Sequence, residues 1–274
     1  MAGLVVFTVA ALIVAAWLVG PSLWVEQRRA RLRRRPFPAA WRAVLRRRMP
    51  MFARLPPDLQ QRLRGHIQVF VAETPFIGCA GVEVSDAMRV LVAAQAGLLL
   101  LGRPRGAFSN LREVLMYPGA FVVERAESDP AGLVREGRRA LSGESWQRGQ
   151  VVLSWQDVMQ GAADPGDGRN VVIHEFAHQL DQESGRANGA PFLGRRERYG
   201  RWQQTLSAAF TELRQSIGRG EETLIDPYGA TEPAEFFAVA SELFFEKAAA
   251  MEERHAALYR ELATYYGVDP RQWQ

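Results

Sequence analysis

The spacing of apolar positions changes along the chain, and each change predicts a different kind of element. From Pro57, residues Leu59, Leu63, Ile67, Phe70 and Val71 recur every three or four positions, which predicts a helix running to about Glu73. His66 lies off that stripe beside Arg64 and Gly65 and reads as a surface histidine. Residues 90–101 (VLVAAQAGLLLL) follow Ser85 and Asp86, which suit a helix N-cap. The run is too short to span a bilayer and predicts a buried helix, ended by Gly102, Pro104 and Gly106. Short β-type runs then take over at residues 114–117 (VLMY), 120–123 (AFVV) and 151–155 (VVLSW), broken by Pro118, Gly119, Pro130, Gly143 and Gly149. A Gly/Asp loop at 161–168 leads into a helix expected from about Asn170 to Gln182, and further helical stretches are expected at 199–218, 233–250 and 252–266. A shorter helical piece is expected at 41–48. Strands preceding a helical half give an α+β fold with a small sheet.

The N-terminus has a different pattern. Residues 1–25 carry no charged side chain, and residues 4–19 read LVVFTVAALIVAAWLV, with Trp17 and Trp24 toward the far end. A stretch of about 20 apolar residues spans a hydrocarbon core, so an uncleaved transmembrane helix is expected. The alternative is a cleaved signal peptide. Against it, no basic side chain precedes the apolar run, and Arg28, Arg29, Arg31, Arg33, Arg34 and Arg35 follow it directly. Positive charge stays inside, which places the body in the cytoplasm and the chain as a single-pass protein of the inner membrane. The expected division is an anchor at 1–25, a basic juxtamembrane linker at 26–50 and a catalytic domain at 51–274, helical over 51–106 and carrying the sheet and metal site over 107–274.

Charge sharpens this picture. Residues 1–48 hold ten arginines against one acid, Glu26, so a chain of net +4 divides into +9 there and −5 over the rest. Basic charge confined to one tract beside an apolar segment fits topology and phospholipid contact, and no direct binding of nucleic acid is expected. The single cysteine, Cys79, excludes an intramolecular disulfide and any zinc site built on two or more thiolates. Metal chemistry therefore has to draw on His66, His174, His178, His255 and carboxylates.

His174-Glu175-Phe176-Ala177-His178, inside VVIHEFAHQLD, is an HExxH pattern. On a helix, residues four apart share a face, so both imidazoles can reach one ion with Glu175 beside them. Asn170 suits the N-cap, and an apolar helix that buries His-Glu-His needs a reason to hold titratable groups. A catalytic zinc takes three protein ligands and keeps one position open. Ser184 stands where a metzincin would have its third histidine, and His255 lies in a charged stretch, so a carboxylate is the expected third ligand. Glu235 is the best candidate, because Pro233 suits the first turn of a helix and places Glu235 there among Phe236, Phe237 and Ala240. Glu242, two turns on, reads either as support for the site or as an exposed side chain. Asp181, one turn after His178, reads equally as an orienting partner for a ligand imidazole or as a helix C-terminal hydrogen-bonding group.

The segments NVVIHEFAHQLD and DPYGATEPAEFFAVASELFF, together with LMYPGAFVV and SGESWQRGQVVLSW, resemble the Mlc titration factor A family of bacterial zinc peptidases, whose catalytic core is similar to that of anthrax lethal factor. The resemblance runs from about Pro36 to the C-terminus. It implies a zincin-like domain with Zn2+ held by His174, His178 and Glu235, with Glu175 as the catalytic carboxylate and Tyr228 as a hydrogen-bond donor to the developing oxyanion. It also implies a peptide or protein substrate and a link to an Mlc-like repressor, which the family's namesake binds. In one respect the chain departs from the toxin core, which has a glutamate one turn after its zinc glutamate where this chain has Val239. The reading favoured by sequence is a membrane-anchored zinc metallopeptidase, with a membrane-tethered regulator-binding protein as the alternative. The strand at 151–155, just ahead of the zinc helix, is the expected edge for an extended substrate.

Overall fold

The apolar run that predicts a buried helix becomes α5 (Asp86–Leu98), whose residues from Val90 onward are all buried. The Ser85 side chain caps it, accepting from the Met88 N–H at 3.3 Å. In this computed structural model the described residues are 7, 17, 20, 22–103, 108–128, 134–141, 143–146, 149–185 and 187–273. The expected anchor therefore lies largely outside them, as do Pro104 and Gly106. Among the described residues no helix is long and apolar enough to cross a membrane.

Among the described residues four helices precede α5. Residues 22–34 form α1, followed by α2 (Ala39–Arg48), α3 (Pro50–Arg54) and α4 (Pro57–Glu73). A helix packs closely on another only where a side chain makes room, and Gly97 of α5 does so, since a Cβ there would come within 2.7 Å of Leu63 of α4. The stretch 26–50, expected as a linker, is largely helical and bonded to the body. Arg29 of α1 donates to Glu73 at 2.9 Å, Gln68 donates to the Arg35 carbonyl at 2.9 Å, and Leu32 is buried.

The sheet holds β1 (Phe76–Gly78), β2 (Glu113–Tyr117), β6 (Gln150–Ser154) and β5 (Gly143–Trp146) in that spatial order. The first three are parallel, with Val114 beside Val151, and β5 runs antiparallel to β6 with Ser145 beside Val151. Alternate apolar residues of β2 and nearly all of β6 are buried, as strands covered by helices require. A separate ribbon of β3 (Phe121–Ser128) and β4 (Val134–Leu141) connects β2 to β5. Both sides of β6 are thus occupied, which overturns its expected role as an open substrate edge; a proline at Val152 or Leu153 would break the sheet itself.

Residue 155 opens a helix rather than ending a strand. In α6 (Trp155–Ala163) the Ser154 side chain accepts from the Asp157 N–H at 3.3 Å. The remaining helices are α7 (Val171–Asp181), α8 (Arg196–Gly218), α9 (Pro233–Glu246), α10 (Ala248–Arg254) and α11 (Ala256–Tyr266). The single helix expected over 233–250 divides at Lys247, whose φ of −126° is not helical. α7 lies between α5 and α9, against β5 and β6. From Phe236 to Glu246 every residue of α9 is buried, as a helix at the centre of a core must be.

Candidate metal centre

α7 opens on β-branched residues, Val171, Val172 and Ile173, which are poor helix formers. Two things offset this. Val172, Ile173, Phe176, Ala177 and Leu180 are completely buried, and the Asn170 side chain accepts from the Ile173 N–H at 3.0 Å. The same packing fixes where His174 and His178 point.

His174 and His178 converge with Glu235, the first-turn residue of α9. The His174 Nε2 lies 3.2 Å from the His178 Nε2 and 3.0 Å from the Glu235 Oε2, and the His178 Nε2 lies 3.3 Å from the same oxygen. Ligand atoms held at zinc's bond length of about 2.0–2.1 Å around a tetrahedral centre stand roughly 3.3–3.4 Å apart. The triangle therefore fits one face of such a centre to within a few tenths of an ångström. Among the described residues this is the group of His, Cys, Asp or Glu side chains that could hold a metal ion. Without one, charge settles unevenly. Burial disfavours a charged His174, but hydrogen bonds with Glu235 and Glu242 outweigh it and hold the imidazole pKa well above its ordinary value. Burial likewise opposes ionisation of Glu235, yet bonds from His174 and His178 hold that carboxyl far below the usual range.

α9 supplies more than one carboxylate. Glu235, Glu242 and Glu246 stand at i, i+7 and i+11, on one helical stripe that faces α7. The Glu242 Oε1 takes the His174 Nδ1–H at 2.8 Å and its Oε2 takes the Asn170 N–H at 2.5 Å. That bond leaves the Nε2 of a neutral His174 with its lone pair toward Glu235 and His178. Of the two readings the sequence left for Glu242, support of the site is the one observed, and this glutamate does from position i+7 what Val239 cannot. The signal in the sequence was the spacing of Glu235, Glu242 and Glu246 along a helix whose other residues are nearly all apolar. Loss of such a partner typically costs 10–100-fold in metal affinity. Glu242→Ala is expected to fall in that range by chelator competition, with the helical circular dichroism unchanged.

The third acid of the stripe ties the start of α7 to α9. Asn170 Nδ2 donates to the Gly161 carbonyl at 3.1 Å and to the Glu246 Oε1 at 3.0 Å. Burial pushes the Glu246 carboxyl up to about 9; the Asn170 bond opposes this, and the nearby Asp167 and Glu242 charges add to it. An unfolded chain ionises this group near 4.5, so between that pH and about 9 the folded state binds the extra proton, and stability falls as pH rises across the window. Glu246→Gln keeps the bond from Asn170 and removes the titration. Its melting temperature is expected to exceed that of the unsubstituted chain at about pH 8, by a margin worth roughly 1–3 kcal/mol, and to match it at about pH 4.

Glu175 is 4% exposed, and its charge bears on His174. Tyr228 sits on the short 3-10 turn Pro227–Ala230 ahead of α9, half in solvent, with its ring centroid 6.1 Å from that of His174. Asp181 is fully buried and accepts the Gly189 N–H at 2.7 Å. That bond clamps the loop after α7, where Gly189 at φ +77° lies so close to the Pro233 carbonyl that a Cβ would come within 2.5 Å of its oxygen. His66 departs from the sequence reading. It is half-buried, and burial together with the Arg33 and Arg62 charges lowers its pKa to about 4. His255 is also half-buried rather than solvated, and neither joins the metal group.

The profile of the family described as glucose-regulated metallo-peptidase M90 matches residues 24–267. An uncharacterised protein of Synechocystis sp. is 40% identical over 94% of both chains. Mlc titration factor A of Pectobacterium atrosepticum is 37% identical over 85% of this chain and 89% of its own, and that of Cronobacter sakazakii is 36% identical over 85% and 87%.

Proposed function

The chain belongs to the glucose-regulated metallo-peptidase M90 family, and from that premise we propose that it is a membrane-anchored zinc peptidase of zincin-like fold. The observation that carries the reading is the triangle of His174, His178 and Glu235 lone pairs with a buried carboxylate, Glu175, next to it on the same helix. A zinc ion held by those three side chains would supply Lewis-acid polarisation and would lower the pKa of water toward neutrality. Glu175 takes a proton from the attacking water and delivers it to the leaving nitrogen as the peptide C–N bond breaks. The Tyr228 hydroxyl donates to the oxygen on which negative charge develops. Among the described residues β5 is the outer, antiparallel strand of the sheet and touches α7, so its outer side would offer backbone groups to an extended substrate. The apolar residues 4–19 hold the chain in the inner membrane with the body in the cytoplasm.

A second reading rests on the name of the relatives, Mlc titration factor A. On it the chain binds an Mlc-like repressor, with or without cleavage. The test is zinc content together with hydrolysis of a peptide library by the detergent-solubilised full chain. Zinc near one per chain with cleavage supports the peptidase. Zinc without cleavage, joined to stable complex formation with a repressor, supports the second reading, and a folded protein that holds no zinc removes the basis for the first.

A further inference from the structure

α1 has two faces of opposite character. Leu32 is buried and Arg29 pairs with Glu73, while the Arg33 stem lies 3.3 Å from where a Cβ on Gly65 of α4 would stand. Residues 24, 27, 31 and 34, spaced three or four apart, lie on the other face, and Arg35 follows the last turn. Trp24 is 62% exposed, and Gln27, Arg31, Arg34 and Arg35 are exposed, while Arg28 at the border of this face reaches back to Glu73 at 3.7 Å. Among the described residues Arg31, Arg34 and Arg35 make no ion pair. A tryptophan in line with unpaired arginines, directly after a 25-residue uncharged segment, is the composition that binds at a membrane interface.

We propose that this face of α1 lies along the anionic headgroups of a phospholipid bilayer and sets the orientation of the whole body. The charge division supports it. The N-terminal +9 is drawn to an anionic surface while the −5 of the remainder is repelled, so the basic side turns inward. The packing order then decides what faces outward. α1 rests on α4, α4 on α5, α5 on α7 and α7 on α9, so the face that meets lipid lies several helix layers from Glu235. The metal centre thus looks away from the bilayer, toward soluble chains. The proposal rests on the membrane reading only for bringing α1 to a bilayer.

The test uses the full chain in vesicles of phosphatidylcholine with phosphatidylglycerol, carrying Cys79→Ser and an environment-sensitive dye at Gln27→Cys on the same α1 face, or at Thr211→Cys on α8. Nitroxide headgroup lipids should quench the dye at 27 strongly and at 211 little. Removing phosphatidylglycerol, adding about 0.5 M salt, or substituting Arg31, Arg34 and Arg35 by Gln should each cut the quenching at 27 by roughly half or more. Equal quenching at both sites, or no response at 27 to lipid charge, overturns the proposal, as does loss of that quenching to a stoichiometric DNA duplex, which would make nucleic acid the partner. Release of the chain by alkaline carbonate would instead count against the anchor, and the quenching would still decide the face.

Discussion

Glu175→Gln is expected to keep its full complement of zinc and to lose peptide hydrolysis by a factor of roughly 10²–10⁴, the range of a positioned general base. Glutamine has the same shape and fits the same 4%-exposed position on α7, so neither the helix nor the His174–His178–Glu235 triangle should move. What disappears is the capacity to accept a proton. The amide also leaves one negative charge fewer beside His174, so zinc affinity should fall only slightly. Metal analysis beside kcat/KM on one peptide reads both effects. Equal loss of zinc and activity would mean that Glu175 holds the site rather than moving a proton.

Glu235→Ala is expected to separate from it in the opposite way, losing the metal first. Removing a carboxylate that touches the metal should exceed the 10–100-fold penalty of losing an outer partner, so affinity should drop by more than about 10². Glu235 occupies the first turn of α9 and keeps 22% of its side-chain exposure, so the helix does not need it for folding. The metal-free variant should melt somewhat lower, because two buried imidazoles lose their carboxylate partner, and the further stabilisation that added zinc gives the unsubstituted chain should be absent from it. A variant that retains stoichiometric zinc against a chelator would remove Glu235 from the site.

Much of this was legible in the amino-acid order. HExxH fixes two imidazoles four residues apart, and the proline–acid start of α9 marks Glu235, because both are short-range patterns on strongly periodic helices. Long-range pairings were harder to read. β6 carries the same VVLS whether it is an edge or an interior strand, and only the return of β5 alongside it closes the edge. α6 hid behind Trp155, a residue that favours strands, although Ser154 and Asp157 carry the cap. His66 stands beside polar neighbours in sequence, but α1 and α5 fold over it, so its burial belongs to tertiary structure.

The stripe on α9 makes the metal site a gauge of helix register. Glu235 meets the metal-side nitrogens, Glu242 the rear of His174 and Glu246 the cap of α7, three engagements spread along about 16 Å of one rigid rod. A turn of α9 by a single residue, about 100°, would break all three together. The opposite side of that rod is held by edge-to-face contacts of Phe237 with Trp202 and Tyr265. A shift of α8 against α9 would therefore reach the His174–His178–Glu235 group through packing on the far side of the helix.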